Sequence, residues 1–328
     1  MLLIEVDAWF GMGDDNKANK LLAEAFDVGS RFDQMGSAQW IAPMMSRLCA
    51  RALNAGIQPE YISRLIRRRK LVAPSHELES WPWPAKVSTL GRFELAIDGT
   101  VYAPSRKAQR KVLDLLKVLI ALGGRDINSI QLVETRWPDL DGDAAQNNLK
   151  ASIHRLRKLL GSDSAVIVHE AKVSIDWSQM WCDVASFEAM ADRILEASFE
   201  HADLPPAVND AQRLMSQYRE HFLPEESEIS CVLVTRDRLR NKLRRAVLRV
   251  GRLLESKEAF GEAIELYQRA IDLDNLSEDT YQRLIFCLKK RGKDAEALNV
   301  YRQCRNMLSI VLGVAPSRET QALVNVNN

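Results

Sequence analysis

Apolar positions recur at helical spacing along both ends of the chain and switch to strand-like alternation in between. In the second N-terminal helix, Ala18, Leu21, Leu22, Ala25 and Phe32 recur at spacings of three, four and seven, which makes one apolar face. Residues 38–54 repeat the pattern with Ile41, Met44, Leu48 and Leu53. Gly56 closes that helix and Pro59 opens the next, each at the end that suits it. This last helix finishes in Arg67, Arg68, Arg69 and Lys70. Cations there complement the helix dipole, so the run reads first as a helix end and only second as a nucleic-acid patch.

Pro74, Pro82 and Pro84 break helical continuity over residues 71–85, which predicts a linker. Its Trp81 and Trp83 are expected to pin it onto a neighbouring domain. From residue 86 the pattern alternates: Val87 and Thr89, then Phe93, Leu95 and Ile97. Asp98–Gly99 is a hairpin-turn signal, with Thr100–Tyr102 as the returning strand. A helix is predicted from near Ser105, with the stripe Ala108, Val112, Leu115, Leu116, Leu119 and Leu122, stopped by Gly123–Gly124. A short helix spans Ser129 to Trp137 and ends at Pro138. Asp143 begins a third helix with Gln146 in a capping-box-like relation, and Gly161 ends it after Leu160. Val166–His169 and Lys172–Asp176 predict a second hairpin. Strands, helix, helix, helix, hairpin is the layout of a winged helix-turn-helix.

Residues 184–328 return to helix and carry a repeat. Glu262–Ala263 recurs as Glu296–Ala297 and Tyr267 as Tyr301, each 34 residues on, the tetratricopeptide period. Gly251 and Ala270 fall where that motif places small residues. The expected fold class is mainly α with a small β component, a winged helix-turn-helix lying between helical tetratricopeptide-like segments. The expected domains are a helical segment (1–70), a Pro/Trp linker (71–85), a winged helix (86–183) and a tetratricopeptide-like domain (184–328).

A length of 328 residues fits two or three domains at roughly 100–200 residues each. The 45 basic and 44 acidic residues leave a net charge of +1, so any nucleic-acid site must come from where the charges sit. Five cysteines without a C-x-x-C pair read as buried thiols in a reducing cytoplasm. Five histidines without metal-ligand spacing make zinc improbable, and no cofactor or small molecule is implied. No apolar run approaches the ~20 residues of a membrane span, and no secretory leader pattern opens the chain. The phosphate-loop and nucleophile-elbow motifs are missing, so no catalysis is expected.

On a projection at about 100° per residue, Ala145, Leu149, Ser152, Ile153, Leu156 and Leu160 of the third helix face the core. Asn147, Lys150, Ala151, His154 and Lys158 fall opposite, with Arg155 and Arg157 on the flanks and no acidic residue among them. Such a face offers cations to phosphates and Asn, Lys and Arg to base edges in the major groove. A solvated basic face is the bland alternative. Arg106, Lys107, Arg110 and Lys111 crowd the first turns of the Ser105 helix, where cations are unfavourable unless a phosphate binds. His169 and Lys172 flank the second hairpin's tip and are candidate backbone contacts. The run Arg236 to Arg252 reads as structural salt bridging in preference to a second nucleic-acid surface.

Longer motifs resemble a known family. Trp81-Pro82-Trp83-Pro84 followed by Leu90-Gly91-Arg92-Phe93-Glu94-Leu95 is similar to the opening of the winged helix in SARP-type bacterial transcriptional activators. Arg136-Trp137-Pro138-Asp139 and His154-Arg155-Leu156-Arg157-Lys158-Leu159-Leu160-Gly161 resemble its middle. Asp183-Val184 to Phe187-Glu188 resembles the junction to the bacterial transcriptional activator domain, and Leu312-Gly313-Val314-Ala315-Pro316-Ser317-Arg318-Glu319-Thr320 resembles that domain's end. The resemblance implies a cytoplasmic, sequence-specific regulator that binds double-stranded DNA through the third helix. It implies that Pro138, Asp139 and Asp141 lie in a loop contacting RNA polymerase, and that the repeat domain serves dimerisation or regulation. Residues 1–70 resemble the end of the helical repeats in larger MalT-like activators. The rival reading is a tetratricopeptide-type scaffold whose winged helix binds protein.

Overall fold

The structure, a computed structural model, describes residues 2–34, 41–104, 107–198 and 204–325. It is mainly helical with a small strand component, as the periodicity predicts. It divides into two compact units, Met1–Val87 with Glu94–Ser186, and Ser88–Phe93 with Phe187–Asn328.

In the first unit, α1 (Leu2–Gly11), α2 (Asp15–Arg31), α3 (Ala42–Asn54) and α4 (Pro59–Arg69) pack around Leu22, Phe26, Leu48, Ile62 and Leu65. Phe32 was expected in this core and is instead 78% exposed. It follows the last residue of α2, where the helical period no longer aims it inward, and Phe26 takes the buried place. Trp81 and Trp83 are buried in the same cluster together with Trp181, so the proline-rich segment is pinned as expected. Trp83 Nε1 donates to the Leu78 carbonyl at 2.8 Å, satisfying its one polar atom.

Strands β1 (Ala85–Ser88), β2 (Glu94–Ile97) and β3 (Thr100–Val101) follow. Ile97 pairs with Thr100, and Asp98 and Gly99 both adopt positive φ (48° and 80°), the conformation a two-residue I′ hairpin turn requires. Next come α5 (Lys107–Ala121), β4 (Ile127–Asn128), α6 (Ser129–Arg136) and α7 (Gly142–Leu160). Strands β5 (Val166–His169), β6 (Lys172–Ile175) and β7 (Met180–Cys182) complete the unit's strands. One sheet has the order β3-β2-β1-β7, with β1 and β7 parallel, and the other β4-β6-β5. The short strands β4 and β7 carry no alternation that a sequence reading detects.

The second unit holds most of α8 (Asp183–Glu196), then α9 (Leu204–Gln217), α10 (Ser230–Ser256), α11 (Phe260–Leu273), α12 (Glu278–Lys290), α13 (Asp294–Met307) and α14 (Arg318–Asn325). A π-helical turn, Leu308–Leu312, precedes α14. Successive helices α10 to α13 pack on one another, and the repeated Ala263 and Ala297 are both buried at these contacts. Glu255 is the polar centre of the stack, its side chain only 7% exposed. It accepts from Tyr267 Oη at 2.8 Å and Arg283 Nε at 2.9 Å. Glu255→Ala strands the Arg283 guanidinium, which is itself 32% exposed. The expected loss is therefore about 2–3 kcal/mol in denaturant unfolding, below the ~3–5 of a fully buried pair. An unchanged midpoint would show that solvent replaces the carboxylate.

Candidate nucleic-acid interface

Helix α7 is amphipathic to its full length. Ala145, Leu149, Ser152, Ile153, Leu156 and Leu160 are all buried, the same six residues the projection assigns to the core. Asn147, Lys150, Ala151, His154, Arg155 and Lys158 are all exposed. One helix thus carries three cations, an imidazole, an amide and a methyl side chain on its solvent side. Arg157, expected on the flank, is half-buried, and its Nε donates to the Val166 carbonyl at 2.8 Å. It therefore ties the end of α7 to the following hairpin.

Two expectations about this helix need correction. Its N-cap is Asp141, with no side-chain cap hydrogen bond, so Asp143 and Gln146 lie inside the helix and form no capping box. The exposed face also has an acidic residue. Asp143 is exposed and stands two helical turns before Lys150 on the same side. A carboxylate in the first turn is favoured by the helix dipole, and it confines the cationic part of the face to Lys150 onward. Asn148 is a polar group the sequence reading passed over. It is exposed, seven residues before Arg155 and so on the same side, a spacing that would have found it.

Helices α5, α6 and α7 pack on one another. Arg136 of α6 pairs with Asp114 of α5 at 2.8 Å. The β5–β6 hairpin follows α7. His169 and Lys172 face each other in register across its tip, both exposed, with Glu170 and Ala171 at positive φ (48° and 61°) between them. The Ala171 carbonyl accepts from the Ser129 N–H at 2.8 Å, which fastens the hairpin turn to the start of α6. Arg110 and Lys111 are exposed on α5. Arg106 lies outside the described residues, as does the side chain of Lys107.

Pro138, Asp139 and Asp141 are exposed in the loop joining α6 to α7. Pro138 and Leu140 line a groove of about 410 Å³ together with Ile130, Val133 and Gln146. Among the described residues no group of three or more His, Cys, Asp or Glu side chains is placed to hold a metal ion. Burial holds the Cys49, Cys287 and Cys304 thiols protonated, pushed up to about 12, 11 and 12. No helix among the described residues is long and apolar enough to cross a membrane.

Residues 182–325 match the family described as the bacterial transcriptional activator domain. That stretch of the chain thus carries a bacterial transcriptional activator domain. Among solved structures it is similar to Mycobacterium tuberculosis EmbR in complex with a low affinity phosphopeptide, with a TM-score of 0.55 and 18% identity. The likeness covers 74% of this chain but 64% of that one, so this chain spans under two thirds of its structural neighbour. At that identity the likeness concerns the fold. No curated protein matches the sequence.

Proposed function

We propose that the chain is a sequence-specific DNA-binding transcriptional regulator of the cytoplasm, an activator that recruits RNA polymerase and catalyses nothing. The observation that carries this is the division of α7, six residues buried and Asn147, Lys150, Ala151, His154, Arg155 and Lys158 exposed, in a chain that also carries a bacterial transcriptional activator domain. In this reading residues 86–183 are an OmpR-type winged helix, residues 1–70 a helical remnant joined to it by 71–85, and residues 184–328 the domain that regulates or dimerises. Helix α7 enters the major groove. Arg106, Lys107, Arg110, His169 and Lys172 meet the backbone, and Pro138, Asp139 and Asp141 meet polymerase.

The test is selection from a pool of random duplexes at two salt concentrations, with the bound fraction sequenced. An enriched motif bound more weakly at the higher salt is the expected result, because Lys and Arg release counterions from DNA. A direct repeat in the motif would indicate a tandem dimer. Absence of binding at both salts would move the assignment to a protein-interaction scaffold. Asn147→Ala is expected to cost about 1–3 kcal/mol of affinity for the enriched motif and to relax preference at one base position. Selection returning the wild-type motif would take Asn147 away from the bases.

A further inference from the structure

The cations of α10 fall into two groups. Toward its start, Arg236 donates to the Phe222 carbonyl at 2.7 Å, Arg238 pairs with Glu188, and Lys242 pairs with Asp192 at 2.8 Å. These side chains are committed to holding the second unit together, as structural salt bridging predicts. Toward its end, Arg244, Arg245, Arg249 and Arg252 line an open cleft of about 760 Å³ between α8, α10 and the start of α12. Arg244 pairs with Asp279 at 3.0 Å, and Arg249 donates to the Ala197 carbonyl at 2.5 Å. Arg245 and Arg252 are exposed and form no ion pair among the described residues.

Arg245, Arg249 and Arg252 stand at i, i+4 and i+7, so they share one side of α10. At a rise of about 1.5 Å per residue the outer pair is separated by about 10.5 Å along the axis. Like charges at this spacing repel, and a ligand bearing the opposite charge at the same pitch removes the repulsion. Leu195, half-buried, supplies apolar surface in the same cleft, while Leu248 and Leu253 are buried at its floor.

We infer that this cleft docks an acidic amphipathic helix of a partner protein. A helix with carboxylates at i, i+4 and i+7 has the pitch of the three arginines, and guanidinium groups bind carboxylates through paired hydrogen bonds. Its apolar residues meet Leu195 and the aliphatic stems of the arginines, the ordinary mode of a helix laid in a groove. A nucleic-acid backbone fits less well. It has no apolar side to lay against Leu195.

The experiment uses the full chain and fluorescence anisotropy. The probe is a labelled helical peptide with glutamates at i, i+4 and i+7 and leucines beside them. The control has the same composition, scrambled so that the glutamates share no face. The designed peptide is expected to bind, the scrambled one to bind more weakly by about tenfold, and the double variant Arg245→Glu, Arg252→Glu to lose about tenfold or more, since each reversal turns attraction into repulsion. Both residues are exposed, and unchanged thermal unfolding would confirm that the variant folds. If the reversals do unfold it, Arg245→Gln with Arg252→Gln reads the same loss with less repulsion. Equal binding of the scrambled peptide, a double variant that binds like wild type, or no binding of either peptide would overturn the inference. So would displacement of the peptide by duplex DNA, which would assign the cleft to phosphates. Peptide binding is read without duplex, and the displacement arm uses the Lys150→Glu, Lys158→Glu chain, so neither depends on whether α7 reads DNA.

Discussion

Gly251→Ala is expected to destabilise the repeat-bearing unit by about 1–3 kcal/mol, the range for an extra methyl forced into a packed core. A β-carbon on Gly251 would overlap the Tyr267 hydroxyl and Cζ and lie 2.5 Å from Cε1. The obstacle cannot swing aside as a flexible chain end would. Tyr267 is fully buried, and its hydroxyl is held by Glu255 at 2.8 Å. The helix-propensity gain of alanine over glycine, about 1 kcal/mol, is too small to offset the overlap. Alanine therefore moves the ring, and moving the ring loosens the Glu255–Arg283 pair beside it. Because Gly251 and Glu255 act through one tyrosine, Gly251→Ala and Glu255→Ala should cost less together than the sum of their separate effects. A denaturant midpoint equal to wild type for Gly251→Ala would show that Tyr267 has room to relax. A gentler version of the same device occurs in the first unit, where a β-carbon on Gly29 would lie 2.6 Å from the Tyr61 hydroxyl and 3.2 Å from its Cζ.

Much of this was legible because helices announce themselves locally. The buried side of α7 follows from periodicity residue for residue, and so does the burial of Val112, Leu115, Leu116 and Leu119 along α5. Turn chemistry was legible too: Asp98–Gly99 sits at the hairpin the dipeptide predicts. What periodicity missed depends on ends and on distant partners. Phe32 continues the spacing of α2 but lies beyond its last turn, and no stripe marks where a stripe stops mattering. Asp143 reads in the sequence as the start of the helix, whereas it lies inside α7, two turns before Lys150, and puts a carboxylate on the polar face. Strand β7 pairs with β1 across most of the first unit, Met180 opposite Ala85, and three residues give no period to read. Residues 88–93 belong with the second unit because Leu223 N–H donates to the Thr89 carbonyl and Gly91 N–H to the His221 carbonyl, bonds far apart in sequence. In the candidate interface, the identity of the exposed side chains was readable, whereas the withdrawal of Arg157 into a bond with Val166 required the hairpin to be in place.

That withdrawal sharpens the prediction with the largest functional effect. Lys150→Glu combined with Lys158→Glu is expected to weaken duplex binding by roughly a hundredfold, about tenfold for each reversed contact. Lys150→Ala or Lys158→Ala alone should weaken it several-fold. Both lysines are exposed on α7, eight residues apart and so about 12 Å along the helix axis. Their loss should also lower the steepness of the log–log salt dependence by about 1.8, since each phosphate contact contributes about 0.9. Stability should stay within about 0.5 kcal/mol of wild type, as for other exposed substitutions. Arg157→Ala should behave in the opposite way. Its guanidinium is committed to the Val166 carbonyl, so its removal should register in unfolding, with the salt slope unchanged. A cationic helix that merely faces solvent predicts no such contrast: the lysine variants would then bind DNA as the wild type does, with the same salt slope. The two slopes, measured side by side, therefore separate a face that meets phosphate from one that is only hydrated.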